Sequence, residues 1–226
     1  MIGVFDSGDG GLLAVKKIRA LSESVDIVFL ADRKNSPYGT KEKSEIINIP
    51  KENLQSLINF GSDTILIACC TASSIYSELS DEEKRISVPI IDATAIAALM
   101  QTRLNKIGVI ATRATVLSGA FTKSIKAQSP SAKVFEYETQ QLVSLVESGV
   151  SDDTITPSAY SKIKEILKPL KNIDFDVLIL GCTHFPWLQN TISEIVGCKT
   201  VSSTLFGAIE VLARHGDKGS KKTIFL

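Results

Sequence analysis

A strand-like motif occurs twice in this chain and limits what it can fold into. Asp63-Thr64-Ile65-Leu66-Ile67-Ala68-Cys69 aligns without a gap onto Asp176-Val177-Leu178-Ile179-Leu180-Gly181-Cys182: an acid, four strand residues, one small residue and a cysteine. Ile2-Gly3-Val4-Phe5 matches Ile107-Gly108-Val109-Ile110 upstream, so two elements recur in the same order. Recurrence of ordered elements implies two similar halves. Between them, short β-branched runs at Ile2–Phe5, Ile27–Ala31, Thr64–Ala68, Val88–Ile91, Ile107–Ala111, Lys133–Tyr137 and Val177–Leu180 alternate with helical spacing, as in Leu12, Val15, Ile18 and Tyr160, Ile163, Leu167. That alternation is the mark of an α/β fold. Several runs are apolar at consecutive positions, as expected for parallel strands covered by helices on both faces.

The expected architecture is therefore two pseudo-symmetric α/β subdomains with mainly parallel sheets and a cleft between them. Residues 1–92, completed by 200–226, form the first and residues 93–199 the second. Lys222–Leu226 reads as the start of a closing strand and Gly216–Lys222 as a frayed loop. In such folds the functional groups lie just past the carboxyl ends of strands.

Charge and length narrow the function. Among 226 residues, 25 Lys+Arg balance 25 Asp+Glu, which argues against a nucleic-acid partner. Apolar runs are far shorter than the roughly 20 residues of a membrane helix, and no basic leader precedes Ile2. No membrane association and a cytoplasmic location are expected, where Cys69, Cys70, Cys182 and Cys198 remain thiols.

The echo places Cys69 and Cys182 at equivalent strand ends, facing one another across the cleft. Helices expected over Thr71–Leu79 and Pro186–Val196 would bring amide N–H groups and dipoles that lower the thiol pKa. One thiolate could then remove a proton while the opposite thiol donates to the other face of the flat carbanion, inverting a stereocentre. Other readings compete. Free cysteine is often simply buried. A metal site would recruit Cys69, Cys70, Cys182 and His184, but no Cys-x-x-Cys pair is present. A dinucleotide site would use Gly8, Gly10, Gly11 and Asp32, with Leu13 where a third glycine belongs.

Six successive motifs now bear on these alternatives: Ile2-Gly3-Val4-Phe5-Asp6-Ser7-Gly8-Asp9-Gly10-Gly11, Pro37-Tyr38-Gly39-Thr40-Lys41, Ala68-Cys69-Cys70-Thr71-Ala72-Ser73, Ile107-Gly108-Val109-Ile110-Ala111-Thr112, Leu145-Val146-Glu147-Ser148-Gly149 and Gly181-Cys182-Thr183-His184-Phe185-Pro186. In order and spacing the chain resembles glutamate racemases, within the cofactor-independent aspartate/glutamate racemase superfamily. The resemblance implies that Cys69 and Cys182 are the two acid/base residues, with no cofactor or metal. It assigns Asp6 to assist Cys69, and His184 to assist Cys182, with Glu147 a further helper. It places Ser7, Pro37, Tyr38, Gly39, Cys70, Thr71, Thr112, Thr115 and Thr183 around an acidic amino acid, most simply glutamate. A homodimer and a supply of D-glutamate for peptidoglycan also follow from it.

The chain departs from that pattern. Cys70 stands where the family has Asn, Asp92 adds a carboxylate after Ile91, Ser202 lacks the usual preceding acid, and the carboxyl end is short. These departures keep open aspartate or another amino acid as substrate, and a non-catalytic protein that binds an acidic metabolite.

Overall fold

The computed structural model describes residues 1–226. Nine strands, all in parallel pairings, form two sheets. The first contains β1 (Ile2–Asp6), β2 (Ile27–Ala31), β3 (Thr64–Ile67), β4 (Ser87–Pro89) and, from the other end of the chain, β9 (Thr223–Phe225). The second contains β5 (Lys106–Ala111), β6 (Lys133–Glu138), β7 (Val177–Gly181) and β8 (Lys199–Ser202). Their orders are β4-β3-β1-β2-β9 and β6-β5-β7-β8. Read from the second strand, both run 2-1-3-4, so the sequence echo is repeated in topology. The central strands β1 and β5 are equivalent, and β3 and β7 lie beside them. In each sheet the chain moves to one side of the central strand and then to the other, leaving the crevice at strand ends where such folds bind ligands.

Both sheets are covered on both faces. Ile2, Val4 and Leu66 of the first sheet share one apolar core with Ile107, Val109 and Ile179 of the second. That core includes residues of the helices Leu12–Leu21, Ile90–Gln101, Ala120–Gln128 and Ser203–His215. The outer face of the first sheet packs on Leu54 and Leu57 of the helix Lys43–Asn59, and that of the second on Leu142, Ile163 and Ile192. Covering both faces removes the alternating pattern, which is why β1, β3 and β7 are buried at every position. No helix is long and apolar enough to cross a membrane.

Two expectations are corrected. The run Val88–Ile91 is not one strand: β4 stops at Pro89, and Ile90 and Ile91 open the helix Ile90–Gln101. A short apolar run fits a buried strand or a buried helix equally, and the alanines at 93, 95, 97 and 98 favour the helix. Asp92 consequently lies in that helix's first turn. The tail is also not frayed. Asp217 accepts hydrogen bonds from Ser22 and Ser24, while Asp26 accepts from the Ser220 and Lys222 amides at 3.0 and 2.9 Å. These bonds guide β9 to the edge beside β2. Between the sheets, β8 pairs with β7, and the following helix Ser203–His215 leads the chain back to β9.

Candidate active site

Four equivalent strand ends converge. Asp6 ends β1 and Ser7 follows it; Cys69 lies just past β3, Thr112 directly past β5 and Cys182 directly past β7. All but Asp6 border one small pocket. The first half contributes Ser7, Pro37, Tyr38, Gly39, Cys69, Cys70 and Thr71; the second contributes Thr112, Cys182, Thr183 and His184. Ser36, Gln140 and Val143 complete the wall and were not expected from the sequence. The pocket volume is about 20 Å³, room for about one water molecule. An amino acid therefore enters only if the two walls separate.

Both cysteines are buried, with 5% and 7% exposure, while still opening on this pocket. The Cys69 thiol donates to Ser7 Oγ at 3.4 Å, and its sulfur accepts from the Ala72 amide at 3.5 Å. Cys182 Sγ lies 3.6 Å from His184 Nδ1. The lowered thiol pKa expected from the sequence does not hold. Burial, followed by the charge of Asp6, pushes Cys69 up to about 11, against the hydrogen bonds from Ser7 and Ala72. Burial also pushes Cys182 up, reinforced by the charges of Cys69, Asp6 and Glu147. The reason is local. The helix after Cys69 spans only Cys70–Ser73, and the segment after Cys182 begins as the 3₁₀ turn Phe185–Leu188. Such short elements offer little dipole against the cost of a buried anion. Both thiols rest protonated, and either becomes a strong base once ionised.

Of the expected helpers, His184 borders the pocket, while Asp6 and Glu147 lie behind its wall. Asp6 is fully buried; its carboxylate accepts from the Gly8 amide at 3.0 Å and from Thr183 Oγ1 at 3.2 Å, with no bond to Cys69. It therefore ties the Cys69 side to the loop carrying Cys182. Burial raises its pKa to about 7, although hydrogen bonds from Gly8, Gly11 and Thr183 pull the other way. Glu147 also lies outside the wall. Its Oε1 is 3.7 Å from Nε2 of His184, giving the sequence Glu147, His184, Cys182 from solvent inward. Burial lowers the His184 pKa despite Glu147, so the imidazole is neutral at pH 7.

The hydroxyl groups divide into those that can meet a ligand and those that brace. Thr71, Thr112 and Thr115 form a triangle with Oγ1 separations of 2.9, 3.1 and 2.9 Å. Thr71 and Thr112 border the pocket; Thr115 does not, and it holds the other two. Tyr38 presents its ring, because its hydroxyl donates to Asp32 Oδ2 at 2.5 Å. Burial and this bond keep the phenol far above its ordinary pKa. Asp32 also accepts from Asn35 and Asn53. The carboxylate weighed as a ribose contact thus anchors the Pro37-Tyr38-Gly39 turn instead.

The glycines weighed as a phosphate loop likewise have a packing reason. A Cβ on Gly10 would lie 2.4 Å from Thr183 Oγ1, and one on Gly11 would lie 2.5 Å from Asp6 Cβ and 2.9 Å from Phe29 Cε2. Close approach, not a nucleotide, explains Gly10 and Gly11. Gly11→Ala is expected to destabilise the fold by about 1–3 kcal/mol through overpacking, measured as a lower urea midpoint. Of the departures, Asp92 is not in the pocket wall; it is exposed, and its Oδ1 accepts from Ser124 Oγ at 2.6 Å. Ser202 bonds Thr204 at 2.9 Å, while Cys70 does border the pocket, with Ser203 Oγ 4.0 Å from its sulfur.

The chain is similar to known proteins in sequence and fold. The Asp/Glu/Hydantoin racemase family matches residues 21–211. A glutamate racemase of Desulforudis audaxviator is 36% identical over 203 residues, spanning 88% of this chain and 72% of that protein. The crystal structure of a Bacillus anthracis glutamate racemase isoform superposes with a TM-score of 0.89 at 29% identity, covering 100% of this chain and 86% of that one. A Francisella tularensis glutamate racemase, solved in complex with D-glutamate, gives 0.88 at 30% identity over 99% and 85%.

Proposed function

Because the chain belongs to the Asp/Glu/Hydantoin racemase family and is an isomerase of the racemase type, we propose that it interconverts L- and D-glutamate by proton transfer between Cys69 and Cys182. The observation that carries this reading is the opening of both cysteines on one pocket from equivalent strand ends. With the α-carbon between the sulfurs, one cysteine acts as thiolate and takes the α-hydrogen, breaking C–H and forming S–H. The opposite thiol then gives its hydrogen to the other face, and the charges of the two cysteines exchange.

The raised thiol pKa serves this step. A carbon acid is far weaker than a thiol, so a thiolate of higher pKa narrows the gap for proton abstraction. The remainder must come from stabilising the carbanion with hydrogen bonds and excluding water. Thr71, Thr112 and Thr183 supply hydroxyls for the substrate carboxylate, and Ser7 serves the Cys69 side. Neutral His184, backed by Glu147, can exchange a proton with Cys182. The product D-enantiomer would feed peptidoglycan.

The test is isotopic. In D₂O, with either glutamate enantiomer, deuterium is expected early in the product pool while recovered substrate keeps protium, because the sulfur that removes the proton is not the one that donates. Equal early labelling of both pools would overturn the two-thiol scheme. Absence of exchange with either enantiomer of glutamate, with turnover of aspartate, would shift the substrate; absence with both would leave an acidic-metabolite binding protein.

A further inference from the structure

Gln140 is the first residue of the helix Gln140–Glu147, immediately after β6 and Thr139. The Thr139 amide donates to the Ala111 carbonyl at 2.8 Å, which fixes this strand exit beside the end of β5 and Thr112. From there the Gln140 side chain crosses to the other half of the molecule. A Cβ on Gly39 would lie 2.3 Å from Gln140 Oε1 and 2.7 Å from Thr112 Cβ. Glutamine, threonine and glycine therefore meet across the pocket, and the missing side chain of Gly39 makes room for the amide.

The amide has nothing to bind within the protein. Its Oε1 is buried without a hydrogen-bond partner, the only atom of the pocket wall in that condition. The neighbouring wall groups are occupied: Thr71 and Thr112 with each other, Ser7 with Cys69, Thr183 with Asp6 and Cys182 with His184. A buried polar atom without a partner is costly, and in a ligand pocket it indicates a group that is satisfied on binding. A primary amide carries two N–H donors and one acceptor, and a half-turn about its last bond exchanges them.

Position identifies the end of the ligand it meets. Cys182 follows β7, and Gln140 follows β6, with β5 between them. Their backbones leave the sheet two strand spacings apart, about 10 Å, so with the α-carbon held at Cys182 the Gln140 side of the pocket lies farther along the ligand. That side suits the end of an acidic side chain. We infer that Gln140 is a substrate-binding, specificity-determining residue whose amide N–H donates to the side-chain carboxylate of the bound amino acid, with Thr112 and the Gly39 turn on the same wall. This inference rests on the racemase reading above and deepens it.

The experiment compares wild type with Gln140→Met, which keeps length and volume but removes the hydrogen bonds, and with Gln140→Asn and Gln140→Glu. In Gln140→Met, KM for glutamate is expected to rise about 10–100-fold with a smaller change in kcat. Gln140→Asn recovers part of that loss, whereas Gln140→Glu at pH 8 binds glutamate worse than Gln140→Met because two carboxylates then oppose one another. Thermal midpoints near that of wild type show that the variants are folded. Unchanged KM for glutamate in a folded Gln140→Met protein, beside an active wild type, overturns the inference alone. A wild type that racemises no acidic amino acid overturns the functional reading and the inference with it.

Discussion

Cys69→Ser and Cys182→Ser are each expected to reduce kcat for glutamate racemisation by about 10²–10⁴-fold, the range for loss of a positioned acid/base group. Serine keeps the size but not the acidity: its hydroxyl neither ionises to a useful base nor gives up a proton as readily as a thiol. The double variant should be little worse than either single one, because in the proposed scheme both groups act in one proton relay. Cys198→Ser provides the control. Cys198 is half-exposed beyond the helix Gln189–Val196, outside the pocket wall, and its loss should leave kcat within about twofold, as expected of a surface change. Equal loss in all three variants would point to general damage, and circular dichroism of each protein distinguishes that outcome.

The second large effect separates stability from activity at Asp6. Its carboxyl titrates near 7 in the folded protein against an ordinary value of 3.8, chiefly because it is buried. Between those values the unfolded chain has lost the proton and the folded chain retains it. Stability from this group is therefore greatest below about pH 4, falls as pH rises towards 7 and is level above that. Between pH 5 and pH 8 the decline amounts to about 2–3 kcal/mol. Asp6→Asn carries no such titration. Its unfolding free energy should lack that decline, so its stability relative to wild type improves from pH 5 to pH 8. Its kcat/KM should lose any limb near pH 7. A wild type and variant with parallel stability profiles would show that Asp6 does not titrate in this range.

The fold was legible where burial erased alternation. Continuous apolar runs at β1, β3, β5 and β7 identified strands covered on both faces, and the echo placed Cys69 and Cys182 at matching ends. The boundary at Pro89 was not legible, since a few apolar residues satisfy either period until a helix's length and packing are known. Most of the pocket wall followed from family motifs, but directions within it did not. The Tyr38 hydroxyl points to Asp32 because Asn35 and Asn53 converge there, a long-range meeting that spacing does not reveal. The sign of the cysteine shifts depended on the length of the elements after them. Gln140 was missed because glutamine at the start of an amphipathic helix resembles surface; the strand-end rule applied after β6 would have marked it.

The two thiols have unlike retinues: Ser7 and a helix amide serve one, while an imidazole backed by a carboxylate serves the other. Mirror-image amino acids have equal free energy, so thermodynamics permits no net preference between directions, and kcat/KM must be identical for the two enantiomers. The unequal surroundings can appear only as compensating differences, with the hand that saturates at lower concentration also turning over more slowly. Lopsided chemistry around a balanced equilibrium thus sets how full the enzyme is with each hand, and never which hand accumulates.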